Sequence, residues 1–117
     1  MCRDKIDNFT KYAILHGEGS VSLDVAQTNG AAEEIYRIVT FLRNENCLKL
    51  LKPLLLHENF SVVAWAASYL LEQYENDSIK ALNKVIESGN SDVSFDAEIV
   101  LEEWRKGTFK AYYKEGL

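Results

Sequence analysis

One proline, two cysteines and two histidines are spread over 117 residues, and these scarcities exclude whole classes of protein. Cys2 and Cys47 follow neither a disulfide framework nor a zinc spacing, so a stapled or zinc-dependent fold is excluded and both thiols are expected to be reduced. His16 and His57 have no metal-ligating partner three or four residues on, which leaves no helical metal site built on histidine. His57 beside Glu58 reads as a surface pair, and His16 as a residue serving a helix C-terminus. Glycine-rich phosphate loops, G-x-S-x-G and H-E-x-x-H are absent, and Glu98, Glu102 and Glu103 lack the facing histidines that carboxylate metal bundles use. No enzyme, cofactor or metal is therefore expected. The longest apolar runs, "LLKPLLL" and "VVAWAA", fall far short of the roughly 20 residues that span a bilayer. The stretch "MCRDKIDNF" carries no apolar signal region, and the expected location is the cytoplasm.

What is present is ordinary in bulk and uneven in place. An apolar fraction of 47% with 26% charged residues is that of a globular domain, and excludes disorder, collagen and long coiled coil. Seven acids balance seven bases in residues 1–52, but ten acids face only Lys80 and Lys84 in residues 53–104, a local balance of 2 − 10 = −8. Such a surface repels phosphate, so nucleic acid is not expected as a partner. It either serves solubility or steers a basic protein toward it.

Apolar residues recur at three-to-four spacing throughout, which predicts an all-α fold of about six helices in a single domain over residues 1–117. The first helix is expected over residues 4–16, ended by Gly17 and Gly19. The second runs to Asn44 with an early part blurred by "TNG". The third, "NCLKLLKPLLLH", must be kinked or short because Pro53 removes a donor. Ser61 is the expected cap of "SVVAWAASYLLEQY", which should run to Tyr74. Asn76 or Asp77 is expected to cap a fifth helix ended by Gly89. "FDAEIVLEEWRKG" is the sixth, closed by Arg105, Lys106 and Gly107, with a loose tail over 107–117.

The chain also matches itself at an offset of 30 residues. Leu55, Val63, Ala67, Leu70, Leu71 and Tyr74 fall on Val85, Val93, Ala97, Val100, Leu101 and Trp104, and the turns "HENFS" and "SGNSD" nearly coincide. Two helix pairs in one register, about 46–74 and 77–106, are what a stacked helical repeat requires. Periodicity alone also makes any two amphipathic helices match at some offset.

The run "LLKPLLLHENFSVVAWAASYLL" and the later "FDAEIVLEEWRKG" resemble the short HEAT-like bacterial proteins grouped as a domain of unknown function. Their marks are a leucine-rich segment, an acidic turn, V-x-x-WAA-x-x-L, and a closing A-x-x-x-L-x-EW-x-x-G. The resemblance spans Ile35 to Gly107, and departs at the place held here by Val63 or Ala64, where such repeats often carry a basic residue. It implies a right-handed HEAT-like stack. It further implies kinship with immunity proteins of contact-dependent growth inhibition, which neutralise a cognate toxin domain, here expected to be a basic nuclease. A scaffold binding an endogenous protein is the alternative. In either case the expected partner-binding residues are Tyr69, Glu72, Glu75, Asp92, Asp96, Ile99, Glu102 and Glu103, with Trp65 and Phe95 packed between repeats.

Overall fold

The computed structural model describes residues 2–89 and 91–114, apart from the side chain of Ser91. Five α-helices, α1 (Cys2–Ser22), α2 (Val25–Asn44), α3 (Phe60–Leu70), α4 (Glu75–Glu87) and α5 (Ser91–Lys106), are joined by one 3₁₀ helix, Leu48–Leu56, between α2 and α3. Among the described residues there is no strand, in keeping with the all-α expectation.

α1 does not stop at Gly17. It continues through both glycines to Ser22, because these are the places where other helices come close to it. A Cβ on Gly17 would collide with Ser61 Oγ of α3, and one on Gly19 would stand 2.6 Å from Thr28 Oγ1 of α2. Close approach offsets the roughly 1 kcal/mol that a helical glycine costs relative to alanine. Asp24 then caps α2, its carboxylate accepting from the Gln27 N–H at 3.0 Å, and "TNG" lies inside the helix. Leu23, in the turn between them, takes a left-handed φ of 60°.

Pro53 sits within the 3₁₀ helix, whose tighter turns meet the expectation of a short segment. The cap of α3 is Asn59 rather than Ser61, its Oδ1 accepting from the Ser61 and Val62 N–H groups at 2.9 and 3.2 Å. Ser61 is instead buried beneath Gly17. α3 ends at Leu70, four residues early; a turn with the Tyr74 N–H donating to the Leu70 carbonyl at 2.7 Å follows, and Tyr74, at a non-helical φ of −135° and ψ of 61°, breaks the helical path before α4 starts. No side chain caps α4; its first-turn acids Glu75 and Asp77 complement the helix dipole instead. Gly89 and Gly107, at φ of 74° and 76°, follow α4 and α5 as expected. α5 begins at Ser91, a turn before Phe95. Asn90, in the expected "SGN" turn, and residues 115–117 of the expected tail lie outside the described residues.

α1 and α2 form a hairpin, and the 3₁₀ helix, α3, α4 and α5 pack in succession, with α1 also against α3. Phe9, Ile35, Leu42, Leu51, Leu70, Leu82 and Leu101 are fully buried between them. Two expectations are corrected here. The hairpin carries the start of α1 to the residue preceding the 3₁₀ helix, so Cys2 and Cys47 form a disulfide with Cα atoms 6.5 Å apart rather than two free thiols. The stretch after Gly107 folds back over α2 and α3 rather than hanging loose: the Lys114 N–H donates to Thr40 Oγ1 at 2.8 Å, and Lys114 Nζ pairs with Glu33 at 2.6 Å.

Candidate functional site

Two aromatics of α3, Trp65 and Tyr69, line a pocket of about 390 Å³. α1 contributes His16 to it, α2 contributes Tyr36, α5 contributes Asp92, Asp96 and Ile99, and the returning segment contributes Phe109 and Tyr112. Its size is within the range of small-ligand sites. The rings are in mutual contact. His16 meets Trp65 edge-on with centroids 5.0 Å apart, Tyr36 meets Tyr112 edge-on at 4.5 Å, and the Trp65 and Tyr69 rings are within 8° of parallel.

Tyr69 was expected at the surface and is buried. Its hydroxyl donates to the Tyr112 carbonyl at 2.7 Å, so the returning segment that covers it is also what it holds. Burial is the main reason its pKa is raised well above that of a free phenol, with Tyr36, Tyr113 and Tyr112 adding to the rise. A buried, hydrogen-bonded Tyr69 forms a wall of the pocket and is not itself open to a protein surface.

Two acids stand on α5 one helical turn apart. Asp96, exposed on its outer side, has its pKa raised, first by partial burial against the pocket; His16 across the pocket opposes the rise and Asp92 adds to it. His16 lies in the body of α1 rather than at its end; burial lowers its pKa, and Asp96 partly offsets that. At neutral pH His16 is thus mostly the neutral imidazole. Lys110 also lines it, exposed to solvent.

The expected partner-binding residues divide. Tyr69, Asp92, Asp96 and Ile99 share the pocket. Glu72, Glu75, Glu102 and Glu103 do not line it. Glu75 accepts from the Trp104 indole N–H at 2.8 Å, Glu102 pairs with Lys106 at 2.9 Å on its own helix, and the Glu103 carbonyl receives the Thr108 N–H at 2.9 Å. Glu72 is exposed, and its charge adds to the raised pKa of Tyr113, which is due first to burial. Phe95, expected between repeats, is 62% exposed. The buried stripe of α5 runs through Ser94, Ala97 and Leu101, and Phe95 is turned away from it. Trp65 is half-buried, between core and pocket.

Beside the pocket, a second depression is lined by Leu23, Val25 and Phe95 together with Asp24, Asp92 and Asp96. The three apolar side chains are 85%, 69% and 62% exposed. Asp92 and Asp96 therefore border both spaces.

His16, Tyr36, Phe109 and Tyr112 carry no local motif. The cluster "FKAYY" at Phe109–Tyr113 is the one sequence signal for this part of the site, an aromatic density out of place in a loose tail.

No protein-family model matches the chain, and no curated protein matches it. Among solved structures, the chain is similar to the protein RPA1889 from Rhodopseudomonas palustris CGA009, with a TM-score of 0.86 and 19% identity over 96% of this chain and 94% of that one. That likeness shows a shared all-helical fold.

Proposed function

We propose that this chain is a HEAT-like helical-repeat protein whose role is to bind a basic protein partner, and that the partner is the toxin domain of a bacterial competition system, which it neutralises as an immunity protein. The observation that carries the reading is the depression lined by exposed Leu23, Val25 and Phe95 beside Asp24, Asp92 and Asp96. Large exposed apolar side chains grouped in one place mark interaction sites more often than chance surface. An apolar centre edged by carboxylates fits a surface of mixed apolar and basic character, such as the substrate groove of a nuclease. Covering that groove would neutralise the toxin by binding alone.

The repeat register supports the stack: 3₁₀ helix with α3, then α4 with α5, are the two pairs that the 30-residue offset relates. No helix among the described residues is long and apolar enough to cross a membrane. The setting that goes with this role is the cytoplasm, where thiols are held mostly reduced. The Cys2–Cys47 bond is then one that the fold permits rather than one that the role requires.

Co-expression with a toxin domain encoded next to this chain tests the reading. Growth rescue and a co-purifying complex are expected, and Leu23→Glu combined with Phe95→Glu should weaken the complex by at least about tenfold with an unchanged circular dichroism spectrum. Absence of both rescue and complex would refute the toxin assignment.

A further inference from the structure

We infer that the pocket between α1, α3, α5 and the returning segment is a receptor for a guanidinium group, supplied by an arginine side chain of the protein partner. That source rests on the reading of a basic partner given above; the chemistry of the pocket stands apart from it. The space of about 390 Å³ is walled by Tyr36, Trp65, Tyr69 and Tyr112 and has Asp92 and Asp96 in its lining. Aromatic faces attract cations through the ring quadrupole, more strongly where water is excluded. The Trp65 and Tyr69 rings are stacked within 8° of parallel, with centroids 6.5 Å apart, and a planar cation can extend that stack on the half-buried Trp65. A guanidinium is flat, weakly hydrated and forked, so it can stack on such rings and direct its N–H groups at carboxylates, which a compact ammonium does less well.

The carboxylates are available for this. Asp92 and Asp96 form no salt bridge among the described residues, in contrast to Glu33 and Glu102, which are paired with Lys114 and Lys106. His16, facing Asp96 from α1, has its pKa lowered and so contributes little positive charge at neutral pH. Lys110, in the returning segment, is the other basic residue of the lining; it is exposed, and its charge competes with an incoming cation. A partner whose apolar surface rests on Leu23 and Phe95 would carry the arginine into the pocket next door, because Asp92 and Asp96 border both spaces. Aromatic walls closing on one buried arginine are the usual makeup of an interface hot spot.

The test uses Nα-acetyl-arginine N-methylamide as the probe, read by the NMR shift of the Trp65 indole N–H in the full chain. A saturable shift with a Kd near 1 mM is expected for so small a ligand, on the order of its atom count. The citrulline analogue, the same shape without charge, should bind at least about tenfold more weakly, and the lysine analogue several-fold more weakly. Asp92→Asn combined with Asp96→Asn, both on an exposed helix face, should cost the arginine probe about tenfold, and Lys110→Ala should tighten it. Equal binding of citrulline and arginine, or no Trp65 shift up to about 20 mM probe, overturns the inference. If the probe binds but no toxin domain does, the partner reading alone fails. If a toxin domain binds and neither the probe nor the Asp92/Asp96 variant affects that complex, the pocket inference alone fails.

Discussion

His16 and Tyr69 show how far a residue's role depends on what lies across from it. His16 faces the edge of Trp65 from α3 and the carboxylate of Asp96 from α5, and the net effect of burial is a pKa below its usual 6.5. The folded chain therefore binds this proton less readily than the unfolded chain. Stability from His16 is present above pH 6.5 and is lost as pH falls through that value toward the lower folded one. Asp96 acts the other way: its raised pKa means that the cost of its charge is relieved as pH falls. As pH falls below 6.5, the His16 contribution predicts a loss of stability in urea unfolding that is smaller in His16→Asn; parallel pH profiles would contradict this. For Tyr69, loss of the hydroxyl in Tyr69→Phe should cost about 1 kcal/mol, because the Tyr112 carbonyl loses its donor. The same denaturation experiment reads it, and an unchanged midpoint would mean that the bond adds nothing. Trp65 and Tyr69, four residues apart on α3, share one of its faces. That face is covered by Tyr112, 43 residues on, and helical periodicity carries no information at that range.

At the scale of elements, the bodies of the helices were legible and their ends were not. Apolar residues at three-to-four spacing mark which segments are helical because the buried stripe must repeat with the helix. Ends depend on single contacts. Gly17 reads as a stop, yet α1 passes through it because α3 crosses at Ser61. Gly17→Ala should cost about 1–3 kcal/mol through overpacking at that crossing, and Ser61→Gly in the same chain should recover part of it. A Gly17→Ala chain as stable as the original would show that the crossing can yield. The turn between α1 and α2 presents the opposite case. Leu23 holds a left-handed φ of 60° while 85% exposed, a conformation that costs a leucine about 1–2 kcal/mol. Leu23→Gly should therefore raise unfolding stability by roughly 0.5–1 kcal/mol while weakening partner binding, a trade typical of strained residues kept at a functional surface. Loss of stability in that variant would remove the strain argument.

For the whole molecule, the acidic bias of residues 53–104 was legible from composition, but its focus was not. Of the carboxylates expected to meet a partner, Asp92 and Asp96 reach the pocket. Glu75 and Glu102 are occupied by Trp104 and Lys106, contacts that depend on how α4 and α5 lie together and on a single turn of α5. The disulfide escaped notice for a similar reason, since Cys2 and Cys47 are 45 positions apart and meet only once the first hairpin has closed. A loop of that length predicts that Cys2→Ser lowers stability by about 4 kcal/mol on the chain-entropy account. Reductant should shift the unfolding midpoint of the original chain and leave that of Cys2→Ser unmoved; an original chain indifferent to reductant would show the bond to be absent in solution. The returning segment has a consequence in time as well as in space. Phe109 and Tyr112 follow every helix in the order of synthesis, and Lys114 fastens them to α2. Their docking sites, the Tyr69 hydroxyl of α3 and Thr40 of α2, come together only once those helices have packed. The cavity therefore gains its last wall as a late step of folding.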